Sequence, residues 1–337
     1  MPINDDLDNG LQREAAGLDE HAWAVLADHV RDGNFTPVVG PLLAQGILGS
    51  REDIARRWVR DRSLPVLAQA QGDLAQVAQY VRVHDGDDEV RTQLQWVVTK
   101  ELRRRRDERR QYDPVWDLED WQVAGADPSP AIMEVGRRLR NNDPDDPYRI
   151  LADLKTCVYI TTAWTDLLQA ALKDNGRTPI TKGFKWKGPD EPRAQPERPT
   201  EERPFVYHLF GRLDDLPSLV LSEDDYFAWL FEWADRHRKS VPPSVLEALT
   251  GKSLLFLGYI LDNWDFRVLF QTIWNLGGSH LLQKNQHVGV QFRHESQVFD
   301  NSVVQEYMES YFRRGHVSIY WGGTREFLIG LRHRVAP

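Results

Sequence analysis

The chain reads as an α/β protein built on a mostly parallel, doubly wound sheet, and three observations lead there. Short apolar runs alternate with helix-period segments from Phe35 to Leu331. The run 253–258, SLLFLG, is apolar without alternation, the pattern of a parallel strand buried on both faces. Several runs end on glycine or threonine, at Gly40, Thr161-Thr162, Gly211 and Gly258, and all but the run ending at Gly211 lead into a helical segment. With 337 residues and 41% hydrophobic content, the chain can bury a sizeable core.

Residues 1–18 are polar and acidic and carry no period. A helix is expected over 21–30, with Trp23, Leu26 and Val30 inward and Asp32-Gly33-Asn34 as its stop. The apolar stretch from Phe35 runs into Gly40-Pro41, and a helix follows through Ile54, Trp58 and Val59. Residues 66–112 read as helical, one face marked by Leu67, Leu74, Val77, Ala78 and Val81. The run 100–110, KELRRRRDERR, is basic, yet its interleaved acids point to a solvated helix face. Contact with phosphate and a seam against an acidic partner subunit are its other uses. Residues 112–147, rich in Asp, Pro and Trp, form an irregular excursion with one short helix over 131–139. The chain thus divides into a helical segment, 1–34, and a domain, 35–337, with a mostly helical insertion at about 66–147.

The stretch 158–171, VYITTAWTDLLQAA, is the centre of the pattern. Val158, Tyr159 and Ile160 form a strand, the threonine pair a turn, and Leu167, Leu168, Ala171 and Leu172 the apolar face of a helix. Proline and charge make 183–204 an exposed loop. Strands are expected over 205–211 and 218–221. Ser222-Glu223-Asp224-Asp225 then caps a helix carrying Tyr226, Phe227, Leu230 and Phe231. After strand 253–258 come a helix over 262–274, a strand over 287–292, a helix over 303–312, a strand over 317–321 and a closing helix over 324–331.

A net charge of −9 argues against a general nucleic-acid binder, so nucleic acid is not an expected direct partner. No apolar run has the length of a membrane span and the N-terminus does not resemble a signal peptide, so a cytoplasmic location is expected. Cys157 is the sole cysteine, so an internal disulfide and a multi-cysteine zinc site are excluded, and no metal is expected. The 12 tryptophans suggest aromatic anchors in the core or at subunit interfaces.

In open α/β sheets ligands bind beyond the carboxyl ends of strands. A strand feeding a glycine turn and then a helix is a phosphate cradle, because glycine admits the anion and helix N–H groups point at it. Gly40-Pro41-Leu42 fits that outline without the G-x-G-x-x-G spacing, and a plain strand and turn explains it equally well.

Four stretches in this order resemble the sirtuin-like family, specifically the compact bacterial branch that serves as effectors in anti-phage defence. They are residues 36–46, 159–172 (the threonine turn and helix), 206–226 (VYHLFG through SLVLSEDDY) and 254–267 (LLFLGYILDNWDFR); VSIYWGGTREFL at 317–328 resembles the tail of that branch. The resemblance implies a Rossmann-like core that takes NAD as substrate and cleaves the nicotinamide–ribose bond to nicotinamide and ADP-ribose. It implies roles along the cofactor phosphates for Gly40, Pro41, Leu42 and Gln45, and hydrogen bonds to ribose from Thr161 and Thr162. Phe210 and Gly211 then stand at the end of the neighbouring strand, and Gly258 beside the adenosine half. Asp262 and Asp265 follow at the next helix, where capping is the alternative role. Trp164 and Trp264 are expected as packing anchors.

The family's chemistry uses an asparagine after the threonine pair to hold the attacking oxygen, and a strand histidine as general base. Ala163 occupies the asparagine position and cannot hydrogen-bond through its side chain. Either the chain is a degenerate member, or it carries an alanine placed to disable it. Phe210 stands directly before the glycine where the family often has histidine, and His208, two residues earlier, is the candidate base, with a structural histidine as the alternative. Leu42 replaces a second loop glycine. Deacetylation is disfavoured, since its members carry a four-cysteine zinc module. The expected function is an NAD hydrolase effector held in check by homo-oligomerisation or by a partner such as an ATPase or sensor. The alternative is a catalytically degenerate domain that binds NAD or ADP-ribose as a sensor or scaffold for a partner protein.

Overall fold

A computed structural model describes residues 18–117, 127–188, 198–261, 263–276, 285–291 and 301–336. Seven described strands form one sheet: β1 Phe35–Val39, β2 Val158–Thr161, β3 Ile180–Gly183, β4 Phe205–His208, β5 Ser253–Leu257, β6 His287–Gln291 and β7 Val317–Trp321. Their order is β3-β4-β2-β1-β5-β6-β7, and every pairing is parallel. The doubly wound, Rossmann-like architecture that the alternation predicts is therefore present.

The inner strands are buried throughout and largely apolar, because both faces are covered. Val39, Tyr159, Val206, Leu255 and Leu257 pack into one core, and Val38, Ile160, Phe205, Tyr207, Leu254 and Phe256 into the other. The helices in chain order are α1 Glu20–Arg31, α2 Gln45–Leu48, α3 Arg51–Arg62, α4 Leu74–Asp85, α5 Asp87–Arg109, α6 Ser129–Asn142, α7 Pro147–Asp153, α8 Leu167–Asp174, α9 Glu223–Ser240, α10 Pro243–Gly251, α11 Trp264–Leu276, α12 Asn301–Arg313 and α13 Thr324–Val335. Helices α1 and α3 to α8, with α13, fill the first core, while α9 to α12 fill the second. Among the described residues no helix is long and apolar enough to cross a membrane.

Several boundaries differ from expectation, each for a local reason. The segment from 66 is not one continuous helix: Asp73 caps α4, and Gly86, at φ +100°, separates it from α5. Leu67 lies before that cap and is 70% exposed. The helix within 112–147 is longer than expected, α6 spanning 129–142. Residues 218–221 are no strand: a 3-10 turn at Leu216–Ser218 leads into a segment that meets the 208–211 turn through Val220 N–H to the Phe210 carbonyl, 3.1 Å. Strand β4 stops at His208, short of the expected glycine. The capping box Ser222/Asp225 starts α9 as its sequence predicts, but the helix turns Tyr226, Trp229 and Trp233 inward and leaves Phe227 and Phe231 exposed. The basic run is only partly solvated. Glu101 is buried and binds Arg104 and Arg105, while Arg105 and Arg109 donate to the Gln45 and Gly46 carbonyls.

Candidate functional site

Strand order places the site. From β1 the chain steps to β2, on to β3 at the edge and back to β4 between them; it then crosses back over β1 to lay β5, β6 and β7 on the other side. The direction of winding reverses between β1 and β5, and helices there diverge to leave a crevice at the carboxyl edge. A cleft of about 1110 Å³ opens at that place, and Pro41, Leu42, Gly258, Tyr259 and Ile260 from the two strand ends line it.

The two turns clasp each other. Gly40 N–H donates to the Leu257 carbonyl (2.7 Å) and Leu42 N–H to the Gly258 carbonyl (3.1 Å). Gly258 has φ +73°, and a Cβ on it would collide with Leu43, so this close approach requires glycine. Leu42 stands in the cleft wall, half-buried.

Arg51, at the first turn of α3, is the cationic side chain held deepest in this wall. Its Nη1 donates to the Tyr226 hydroxyl (2.6 Å) and pairs with Asp265 (2.8 Å), and its guanidinium lies over the Trp164 ring at 4.9 Å. Its Nε and Nη2 are buried with no hydrogen-bond partner. A buried donor left unmatched costs about 1–3 kcal/mol, which an anion in the cleft would relieve after a small movement of the side chain. Burial of the Tyr226 hydroxyl pushes its pKa up to about 12, so it stays a neutral hydrogen-bonding group. Trp164 is buried against Arg51, whereas Trp264 is 39% exposed at the rim and packs on Tyr226.

The threonine turn lies directly behind. Thr161 Oγ1 donates to the Val39 carbonyl and accepts from Ala163 N–H, both at 3.0 Å, so this side chain serves the turn itself. The Thr162 hydroxyl meets the Tyr259 hydroxyl at 3.0 Å, tying the β2 end to the β5 end. Ala163 is buried, and its carbonyl accepts from His208 Nδ1 at 3.2 Å.

His208 is fully buried. With Nδ1–H given to Ala163, the lone pair on Nε2 accepts from the Gln169 amide at 2.6 Å, and that amide also donates to Asp166 (2.7 Å). Burial, aided by the nearby Arg212 charge, pushes the His208 pKa down to about 3. The imidazole is therefore neutral, and His208 is not among the residues that line the cleft. Asp166, paired with Arg212, has its carboxyl raised above the ordinary aspartate value by burial.

The sequence-chosen residues thus separate into three groups. Pro41, Leu42 and Gly258 line the cleft, with Gly40 in its clasped turn. Thr161, Thr162, Ala163 and His208 form a buried layer behind it. Phe210 packs edge-on to Tyr226 and Trp229, Gly211 is pressed against the Ser218 backbone, and neither lines the cleft. Gln45 is exposed outside the lining, with Arg105 on its carbonyl. Asp262 lies outside the described residues. Pattern alone misses Arg51, Tyr226 and Tyr259 as site residues, and Asp265 holds Arg51 as well as standing in the first turn of α11. The signal that finds Arg51 is its place directly after the Ser50 cap, in the first turn of the second helix beyond the glycine loop.

Residues 157–314 match the family model described as the SIR2-like domain. That span begins just before β2 and leaves out β1 and its loop, which the structure seats between β2 and β5. No curated protein matches the chain.

Proposed function

The chain is sirtuin-like over residues 157–314, a little under half its length, and from that premise we propose that the β1/β5 cleft binds NAD and serves cleavage of the nicotinamide–ribose bond. The observation that carries this reading is Arg51, a buried guanidinium with two unmatched nitrogens at the reversal point of the sheet. Its unmatched donors suit the pyrophosphate, and the cleft, just above the about 300–1,000 Å³ usual for ligand pockets, has room for a dinucleotide. In the reaction, positive charge grows on the ribose as nicotinamide leaves, and an oriented oxygen quenches it. Ala163 supplies no side-chain group to orient that oxygen, so this sequence binds NAD and turns it over weakly or not at all. An active form would serve as an anti-phage effector restrained by self-assembly or by a partner ATPase or sensor, which the resemblance of residues 35–330 supports.

A second reading, a sensor that binds NAD or ADP-ribose without cleaving it, is favoured by His208. Its two ring nitrogens are both engaged inside the protein, and the residue is not among those that line the cleft.

Calorimetric NAD binding and chromatographic nicotinamide release separate the readings. The chain as it stands should bind NAD, Ala163→Asn should release nicotinamide, and Arg51→Gln should weaken binding about tenfold, as the loss of a charge-assisted hydrogen bond does. Binding without release by Ala163→Asn leaves the sensor. No binding by either form removes both readings.

A further inference from the structure

Beside the cleft, a smaller hollow of about 270 Å³ lies between α3 and α5, lined by Asp53, Arg56, Arg57, Arg60, Glu101 and Arg104. These helices concentrate positive charge in an acidic protein. Helix α3 holds five arginines against three acids, and residues 100–110 hold seven basic side chains against three acids, in a chain of net charge −9. Two side chains pointing at one another would neutralise such a surface, but here one carboxylate organises several cations. Glu101, 1% exposed, binds Arg104 through both oxygens (2.5 and 2.9 Å), Arg105 at 2.8 Å and Arg57 at 3.4 Å. Burial works against its charge, and the Arg104 and Arg105 hydrogen bonds outweigh that, holding the carboxyl below the ordinary glutamate value. Of the lining guanidinium groups, those of Arg57 and Arg104 are thereby held before any ligand arrives. Arg56 is tied only to the exposed Glu52, and no ion pair among the described residues involves Arg60.

We propose that this hollow is a second ligand site, one that takes the phosphate dianion of a small phosphate ester or pyrophosphate. Inside the hollow four guanidinium groups face two carboxylates, while Glu52, Asp61 and Glu108 pair with Arg56, Arg57 and Arg104 from its edge, which leaves Arg60 as the lining cation with no ion pair among the described residues and the one a phosphate oxygen would meet first. Planar guanidinium forks bind phosphate oxygens in pairs, which ammonium groups do not. The volume falls below the about 300–1,000 Å³ of pockets that enclose whole ligands, so the phosphate end enters and the remainder stays outside. A nucleic-acid strand fits less well: it needs cations spaced along a track, and the acidic remainder of the protein repels a polyanion. The site does not depend on what the larger cleft binds, although Arg56 and Arg60 line both hollows.

Titration calorimetry of the full chain with pyrophosphate, AMP and adenosine tests this. Pyrophosphate and AMP should bind and adenosine should not. The exposed Arg60→Gln change, which disturbs no described ion pair, should weaken pyrophosphate binding several-fold, and Arg57→Gln with Arg60→Gln about tenfold or more. Arg51→Gln, which removes the cleft's own pyrophosphate contact, should still bind pyrophosphate, and adding Arg57→Gln and Arg60→Gln to it should abolish that binding, which keeps the result separate from the NAD reading. The proposal is overturned if adenosine binds as well as AMP, if the double variant binds pyrophosphate like the parent, or if Arg51→Gln abolishes binding. Binding of an oligonucleotide or an acidic peptide without competition by pyrophosphate overturns it as well. Circular dichroism of each variant confirms folding, with Arg60→Gln as the readout should the double variant unfold.

Discussion

His208 is where the chemistry of a single side chain diverges most from its position in the sequence. Two residues before Phe210 it is a natural candidate base, yet in the fold it is a buried neutral ring with both nitrogens engaged. This has a consequence for stability. In the unfolded chain a histidine takes up a proton near pH 6.5, whereas the folded ring resists it until about pH 3. Between those values the unfolded state binds more protons, so folding stability is full above pH 6.5 and falls as pH drops toward 3. The slope approaches about 1.4 kcal/mol per pH unit at most. Thermal melts at pH 7 and pH 5 should show this loss, and His208→Gln should flatten it. An unchanged pH dependence in His208→Gln would show that the ring is solvated. The burial depends on Gln169 and the Ala163 carbonyl, 39 and 45 residues away along the chain, and no local pattern reports such a distance.

At the level of helices and strands, local signals were the reliable ones. The Ser222-x-x-Asp225 box is readable three residues at a time, and it does cap α9. The sequence does not reveal that the same Asp225, fully buried, also binds Arg91 of α5 and Arg82 of α4, both at 3.1 Å. Asp225→Ala should therefore cost far more than the about 1 kcal/mol of a lost cap. Leaving the buried Arg91 without its partner adds a penalty of about 3–5 kcal/mol, measurable as a shift of the urea midpoint. A loss limited to about 1 kcal/mol would mean that Arg82 and Arg91 are served equally well by Asp87. The exposed Phe227 and Phe231 make a related point. They share the helical period of buried residues, and only the packing of Trp229 and Trp233 against Phe184 chose which face turned inward.

Taken entire, the molecule joins its described ends. Trp23 of α1 stacks on Phe327 of α13 at 5.0 Å, meets Tyr320 of β7 edge-on at 5.8 Å, and lies beneath Arg334 at 4.5 Å. Removing a buried indole typically costs about 3–5 kcal/mol. Trp23→Ala should lower the melting temperature in a single transition, whereas a separate early transition would mean that α1 melts on its own.

Side-chain periodicity and the glycines and threonines after strands were enough to announce a doubly wound sheet, because strand and helix periods are properties of adjacent residues. The same local chemistry established that the side chain of Ala163 cannot form a hydrogen bond, whatever surrounds it. Strand order could not be read this way, since the crossing from β4 to β5 depends on which apolar edges meet. Nor could the cleft, whose Arg51, Trp164, Tyr226 and Asp265 come from four separate segments. Burial, ion pairing and the charge state of a histidine are energies between distant parts of the chain, and they exist only once the chain has closed on itself.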